Sequence, residues 1–196
     1  MIQQVETLIQ DRCITLHAVS WDRFEAIASI LEDYPVRLTY LDGTLDIMTP
    51  SPEHEEYKTT IGYLLEIYLR FLGIRFYGTG GYTLGSRESR VRGEPDESYN
   101  LGTKKDIPDI AIEVVLSSGG VDKLEKYRRW GVPEVWFYQR RQLFIYHLRS
   151  SGYEQVTRSE FLPDLDLDLF IRCLNMPDQY DATVAFSEAL RQQNNS

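Results

Sequence analysis

The chain has 196 residues, of which 42% are hydrophobic and 12% aromatic, so it is long enough for one domain with a substantial core. The formal net charge of −9 argues against a broadly basic nucleic-acid-binding protein, because Lys and Arg supply most of the affinity for phosphates. The charge is uneven, however: residues 87–149 hold 12 basic and 10 acidic side chains, and only this middle part has a basic excess.

The first half of the chain predicts a helix, a hairpin, a longer helix and short strands. Ser20 before WDRFEAIASILED is typical of an N-capped amphipathic helix. Asp42-Gly43 between two alternating segments predicts a tight β-hairpin. A long helix with an apolar stripe is predicted from Glu53, and Gly73 ends it. The following segment, GIRFYGTGGYTLGS, favours one or two short strands.

The rest of the chain predicts mainly strands. RESRVRGEPDESYNLGTKKD has no periodic apolar face and predicts a loop flanking a short strand near Pro95-Asp96. PDIAIEVVLSSGG predicts a buried strand that turns into the helix VDKLEKYRRW. Two aromatic-rich strands around a polar turn at 139–142 follow, then a weaker strand near 153–156, an alternating Leu/Asp segment and a terminal helix at about 177–192.

This order of elements predicts an α/β fold, with a mixed β-sheet flanked by helices on both faces. We expect a single domain over residues 1–196, with a core at about 35–150 and N- and C-terminal extensions packed on it. The N-terminus lacks the pattern of an export signal, no stretch is apolar enough for a membrane span, and Cys13 and Cys173 match no disulfide or metal spacing. These features predict a cytoplasmic protein.

The predicted buried strand carries two acids, Asp109 and Glu113, and a buried carboxylate needs a partner. Alternation places both on one face of the strand, with Asp109 at its start and Glu113 in its middle. Three interpretations of Glu113 stay open at this point: a wet position at a sheet edge, an ion pair with Lys or Arg, or coordination of a cation.

Two neighbouring segments favour the cation. Glu94-Pro95-Asp96-Glu97 offers an acid at the start of a preceding strand, and two carboxylates from adjacent strands, together with a backbone carbonyl, suit Mg²⁺. Asp122-Lys123 opens the next helix, from which Lys123 can reach back toward the carboxylates and orient a water. The alternative for Lys123 is a solvated residue of the first helical turn.

The run EPDESYNLG, followed by PDIAIEVVLSSGGVDKLEKYRRWGVPEVWFY, resembles the Uma2 family of restriction endonucleases in the PD-(D/E)xK nuclease superfamily. The resemblance extends back through YLDGTLDIMTPSPEHE and covers most of residues 20–150. It implies a restriction endonuclease-like core and a DNA endonuclease that uses Mg²⁺, with Mn²⁺ as a substitute. It further implies Asp96 and Glu113 as catalytic metal ligands, the Val114 carbonyl as an additional ligand, and Lys123 as the catalytic lysine.

The chain departs from the superfamily motif at one position. The motif places a lysine two residues after the Glu, where this chain has Val115, so either Lys123 supplies the amine or the site is impaired. Asp109 is then a secondary ligand or a structural residue. A residue in the first turn of the long helix commonly completes such sites, although acids there are also ordinary helix caps; the candidates are Glu53, His54 and Glu56.

Basic residues surround Asp96 in the sequence and are candidates for phosphate contacts, with solvated loop charges as an equally open interpretation. They are Arg87, Arg90, Arg92, Lys104 and Lys105. Two other functions stay open. Val115 and the acidic balance favour a DNA-binding or regulatory protein without efficient catalysis, and the aromatic strands favour a homo-oligomeric scaffold. A homodimer also suits a nuclease that cuts two strands.

Overall fold

The computed structural model of the protein describes residues 11–116 and 122–193, and this part of the chain forms eleven strands and five helices. In chain order they are β1 (Arg12–Leu16), α1 (Trp21–Ile30), β2 (Arg37–Leu41), β3 (Thr44–Thr49), α2 (Pro52–Phe71), β4 (Phe76–Gly78), β5 (Leu84–Ser86), β6 (Val91–Gly93), β7 (Glu97–Leu101), β8 (Ile110–Val115), α3 (Lys123–Trp130), β9 (Glu134–Gln139), β10 (Gln142–Arg149), β11 (Gly152–Val156), α4 (Leu167–Leu174) and α5 (Gln179–Gln193). The predicted turn from Ser117 to Gly120 lies outside the described residues.

A six-stranded mixed sheet forms the centre of the fold, in the order β11-β10-β9-β8-β7-β4. β8 and β9 are parallel and are connected through α3, while the other neighbours are antiparallel. Two parallel strands run in the same direction, so the chain must return to the starting edge of the sheet before the second strand begins. A tight turn cannot do this, and a crossover through a helix is needed. The mixed sheet predicted from the sequence is therefore confirmed.

Helices cover both faces of this sheet, as predicted. Ile110, Ile112 and Val114 of β8 pack into a core that α2, α4 and α5 complete. On the opposite face Ala111 packs in a second core with Tyr127 of α3. Both faces of β8 are thus buried, and the Glu113 side chain points into the α3 side.

A second sheet, which the sequence analysis did not separate from the first, is antiparallel and has the order β1-β3-β2-β6-β5. Its β2–β3 hairpin turns at Asp42 and Gly43, whose φ angles of 46° and 90° fit the predicted tight turn. Leu41 and Val91 of this sheet join the core on the α3 side of the large sheet. The space between the two sheets and α3 holds the site described below.

The structure corrects one predicted segment and places a helix in another that had no assigned element. The segment of residues 87–106, predicted as a loop around one short strand, contains the two strands β6 and β7, which lie on either side of Pro95-Asp96. The alternating Leu/Asp segment contains the helix α4, because Asp166 caps it by accepting a hydrogen bond from the Leu169 amide at 2.9 Å. The helix α4 is thus an element that the sequence pattern did not predict.

Within the described residues, no helix has the length and apolarity needed to cross a membrane.

Candidate active site

Asp96 and Glu113 lie side by side on neighbouring strands. Glu97 is paired with Ile112 in the β7–β8 ladder, which places Asp96, one residue before β7, beside Glu113. The two residues are 4% and 2% exposed, and both line a small cavity of about 40 Å³ between the two sheets and α3. The structure therefore brings together the two acids that the sequence analysis selected.

Both oxygens of the Glu113 carboxylate accept hydrogen bonds from side chains of α3. Lys123 Nζ donates to Oε2 and Lys126 Nζ donates to Oε1, each at 2.6 Å. The Tyr127 hydroxyl donates a third hydrogen bond to Oε1. Of the three open interpretations of Glu113, the ion pair is the one present in this structure.

The charges in this cluster depend on each other. Burial raises the pKa of the Glu113 carboxyl, but the two ammonium groups outweigh burial and hold this pKa well below its usual range. Burial lowers the pKa of Lys123, while Glu113 and Asp96 raise it above its ordinary value. Burial and the nearby Lys123 leave the pKa of Lys126 below its ordinary value despite Glu113. Glu113 and Lys123 are thus ionised, and of the two lysines Lys126 is the one that loses its proton more readily.

Asp96 is held by a different set of partners. Its Oδ2 accepts a hydrogen bond from the Val114 backbone N–H at 2.7 Å, which fixes the carboxylate against β8. Its Oδ1 is paired with the guanidinium of Arg37 on β2, and Arg37 also contacts Glu55 Oε1 at 2.6 Å. Asp96 is therefore anchored from both sheets.

His54, in the first turn of α2, contacts Asp96 from the other side. Its Nε2 lies 3.1 Å from Asp96 Oδ1, although this N–H makes no regular hydrogen bond with a described residue. Its Nδ1 lies 3.0 Å from Asp11 Oδ2. Burial lowers the pKa of His54, but the hydrogen bond to Asp11 and the negative charges of Asp11 and Asp96 outweigh burial and raise this pKa to about 9. A protonated imidazole thus bridges two buried carboxylates.

The other secondary candidates lie elsewhere. Glu53 and Glu56 line a separate cavity of about 480 Å³ next to Tyr57 and Arg141. Asp109 accepts a hydrogen bond from the Leu101 amide at 2.8 Å and pairs with Lys105 at 2.6 Å, so it ties down the loop between β7 and β8. These contacts favour the structural interpretation of Asp109.

The five candidates for phosphate contact are absent from the described lining of the Asp96–Glu113 cavity. Arg87 is paired with Asp22 and Glu25, and Arg90 with Asp42, all on the outside of the smaller sheet. The Arg92 guanidinium lies over the Phe24 ring. Lys104 and Lys105 belong to the loop that follows β7.

Several residues of the site were missed by the sequence analysis, namely Asp11, Arg37, Lys126 and Tyr127, together with the acids Asp46 and Glu94 that line the cavity. A signal was present for the α3 residues. Positions 123, 126, 127 and 130 follow the i, i+3, i+4, i+7 spacing of one helical face, and three of them are buried. No local pattern marks Arg37 or Asp11, which reach the site from distant parts of the chain.

The donor chemistry of the cavity fits a hard divalent cation, because carboxylate oxygens are the ligands that such ions prefer. In the described part of the chain, no group of three or more His, Cys, Asp or Glu side chains is placed to hold a metal ion. Lys123, Lys126 and Arg37 instead lie at ion-pair distance from the two carboxylates. A metal bound here would compete with Lys123 and Lys126 for the Glu113 carboxylate.

A mixed sheet covered on both faces, with buried acids on adjacent strands and lysines on the following helix, defines a restriction endonuclease-like fold. The sequence matches the model of the Uma2 family, whose description is "Putative restriction endonuclease", over residues 21–177. Because this match covers most of the chain, the protein belongs to the Uma2 family, which is part of the PD-(D/E)xK superfamily.

Family and fold therefore agree with the sequence-based prediction, and membership indicates a nuclease. The superfamily generally uses divalent metal ions. No curated protein matches the chain.

Proposed function

We propose that the protein is a metal-dependent endonuclease that hydrolyses phosphodiester bonds of DNA. The observation that carries this proposal is the shared cavity of Asp96 and Glu113, two buried carboxylates on adjacent strands with Lys123 and Lys126 beside them. Burying three ionisable side chains, Asp96, Glu113 and Lys126, beside the half-buried Lys123 is costly for stability, and such clusters are typical of functional sites.

Asp96, Glu113 and the backbone carbonyl of Val114 are the proposed ligands of Mg²⁺, for which Mn²⁺ can substitute. When bound, the ion polarises the scissile phosphate and lowers the pKa of a water molecule. The protein itself fixes the geometry: the Val114 backbone N–H and the Arg37 side chain orient Asp96, and Tyr127 and Lys126 orient Glu113.

Lys123 is the proposed catalytic lysine. Its side chain is 29% exposed and lies at the first turn of α3, whereas Lys126 is 1% exposed. Lys123 can therefore leave Glu113 by a change of rotamer, and its ammonium group then orients the attacking water and stabilises charge on the phosphate. This assignment places the catalytic amine on α3. Lys123 thereby replaces the lysine that the superfamily motif has at the position of Val115.

We further propose that the protein acts as a homodimer when it cuts both strands and that it resides in the cytoplasm. DNA phosphates are proposed to contact basic residues in the middle part of the chain. The phosphate-contact residues are Arg87, Arg90, Arg92, Lys104 and Lys105. Arg87, Arg90 and Lys105 already pair with carboxylates, which partly neutralise their positive charge. The proposed phosphate contacts therefore depend mainly on Arg92 and Lys104.

The test is nicking of supercoiled plasmid DNA by the purified protein with Mg²⁺, with Mn²⁺ and with excess chelator. We expect nicked and linear products with either metal and none with chelator. Intact plasmid under all three conditions, with protein shown to be folded, would contradict the proposal.

A second function is favoured by the two lysines and the tyrosine that already bind the Glu113 carboxylate and balance its charge. A DNA-binding or regulatory protein on the nuclease fold would bind DNA equally well with and without chelator and would not nick it. The same protein preparation distinguishes the two functions.

A further inference from the structure

A second cavity, of about 630 Å³, lies near the end of β7 that is remote from Asp96. Its walls come from β4, from the residues after β4 and from the loop between β7 and β8, and they include Tyr77, Tyr82, Asn100 and Lys104. This volume falls within the range of about 300–1,000 Å³ that is usual for sites of small molecules.

The wall of this cavity contains a buried hydrogen-bond acceptor that lacks a donor. Asn100 is 2% exposed, and its Nδ2 donates to the Lys105 backbone carbonyl at 2.9 Å. This bond fixes the orientation of the amide, because a carbonyl oxygen only accepts. Among the described residues, none donates a hydrogen bond to Asn100 Oδ1. Since unsatisfied buried acceptors are rare, the Asn100 amide marks a polar position in the wall of the cavity.

Aromatic and cationic side chains complete the cavity. Tyr77 and Tyr82 contribute two rings, and Tyr82 is 56% exposed. Lys104 Nζ lies 5.4 Å from the centre of the Tyr77 ring and, in the part of the chain that the structure describes, forms no ion pair. Lys105, by contrast, is paired with Asp109. Lys104 is thus the cation that the cavity offers to an anionic ligand.

The cavity opens on the same face of the large sheet as the candidate active site. Ser98 pairs with Ala111, which places Ser98 and Asn100 on the face that carries Glu113. Asn100 lies four residues after Asp96, a distance of about 13 Å at about 3.3 Å per residue of extended chain. Stacked nucleotides rise by about 3.4 Å each, so a strand of about four nucleotides spans the two sites.

We propose that this cavity binds one nucleotide of an unpaired DNA strand. The base contacts the Tyr77 and Tyr82 rings, and a phosphate pairs with Lys104. Aromatic rings hold single-stranded bases in this way, and every base has an N–H donor on its edge. The carboxylate of Asp106, which also lines the cavity, suits the same donors. The inference rests on the proposed function and narrows its substrate to DNA with unpaired bases, because a base inside a duplex cannot reach such a cavity.

The experiment measures binding without any metal, by calorimetry in the presence of chelator. The probes are dAMP, a short single-stranded oligonucleotide and the duplex of the same sequence. The variants are Tyr82→Ala and Lys104→Ala, and Tyr180→Ala is the control because Tyr180 is 75% exposed and lies on α5. We expect Tyr82→Ala and Lys104→Ala to weaken binding of dAMP and of the single strand about fivefold or more, and Tyr180→Ala to leave both unchanged.

Two results would overturn the proposal: no binding of dAMP to the unmodified protein at millimolar concentration, or equal binding by Tyr82→Ala and Tyr180→Ala. If Tyr82→Ala lost dAMP but kept the single strand, the cavity would take a free nucleotide, and its role toward DNA would be refuted. Because no bond is cleaved in this assay, its failure leaves a positive nicking result intact. Conversely, absence of nicking leaves nucleotide binding intact.

Discussion

Lys126 Nζ lies 2.6 Å from Glu113 Oε1, and both side chains are almost completely buried between the large sheet and α3. An acid in the middle of an apolar strand is thereby explained by a lysine on the helix that follows the strand. A buried pair of this kind contributes little net stability as a whole, but removing one partner leaves an uncompensated charge. Stability and chemistry at this site are therefore coupled, and the two must be measured separately.

The Glu113–Lys126 pair makes a stability prediction. Glu113→Gln leaves Lys126 buried without its carboxylate, so we expect the free energy of unfolding to fall by about 3–5 kcal/mol. Adding Lys126→Met removes the orphaned charge and recovers most of this loss. Urea denaturation followed by circular dichroism measures both effects.

The matched control for this pair is Glu125→Gln, which removes a carboxylate from ion pairs with the exposed Arg128 and the half-buried Arg129 at the outer surface of α3. Such surface pairs contribute about 0–1 kcal/mol, so this variant remains close to the unmodified protein. Equal stability of Glu113→Gln and Glu125→Gln would show that the buried pair is not formed.

Lys123 makes a prediction about rate rather than stability. In Lys123→Met, Glu113 keeps Lys126 and the Tyr127 hydroxyl, so the fold is retained. We expect the cleavage rate to fall by about 10²–10⁴-fold, the usual contribution of a side chain that positions or transfers a proton. Single-turnover cleavage of a labelled DNA measures the rate, and an unchanged rate would remove Lys123 from the catalytic residues.

Asp109 is predicted to be structural. Asp109→Asn weakens the contacts to Lys105 and to the Leu101 amide, and we expect a loss of about 1–3 kcal/mol in the free energy of unfolding. Hydrogen exchange of the Leu101 amide then becomes faster, while metal-dependent cleavage by the folded protein persists. Loss of cleavage with unchanged exchange at Leu101 would instead support Asp109 as a ligand.

Gly85 on β5 is predicted to tolerate no side chain. Its φ is +98°, and an added Cβ would collide with the Val91 carbonyl and lie 2.7 Å from Trp130 Nε1. Gly102, with a φ of +77° and open space around it, is the control: Gly102→Ala pays only the backbone strain of about 1–2 kcal/mol. We expect Gly85→Ala to lower the melting temperature much more than Gly102→Ala does, and equal shifts would contradict the close packing of β5 on α3.

Local sequence patterns were sufficient for most elements of the fold. The Asp42-Gly43 turn was predictable because both positions need a positive φ, which these residues tolerate. The short strand β6 was not, since three residues in a polar segment show no periodicity and are held by pairing with distant strands. Pairing of this kind depends on tertiary structure.

The site was predictable in part for the same reason. Asp96 and Glu113 stood out because acids are conspicuous beside a proline or within an apolar strand. Lys126 was missed because lysine is rarely buried, so its place on the helical face was not weighed. Arg37 is 59 residues away from Asp96 in the sequence, and Asp11 is 43 residues away from His54, distances that no local pattern spans.

The most direct test of the account compares plasmid nicking by the unmodified protein with nicking by Glu113→Gln/Lys126→Met, a variant designed to lack the metal ligand while it keeps the fold. Both proteins are assayed in Mg²⁺ at equal folded concentration, as verified by circular dichroism. The account predicts nicking by the unmodified protein, abolished by chelator, and only background nicking by the variant. Nicking by the folded variant at the unmodified rate would contradict the assignment of Glu113 to the active site.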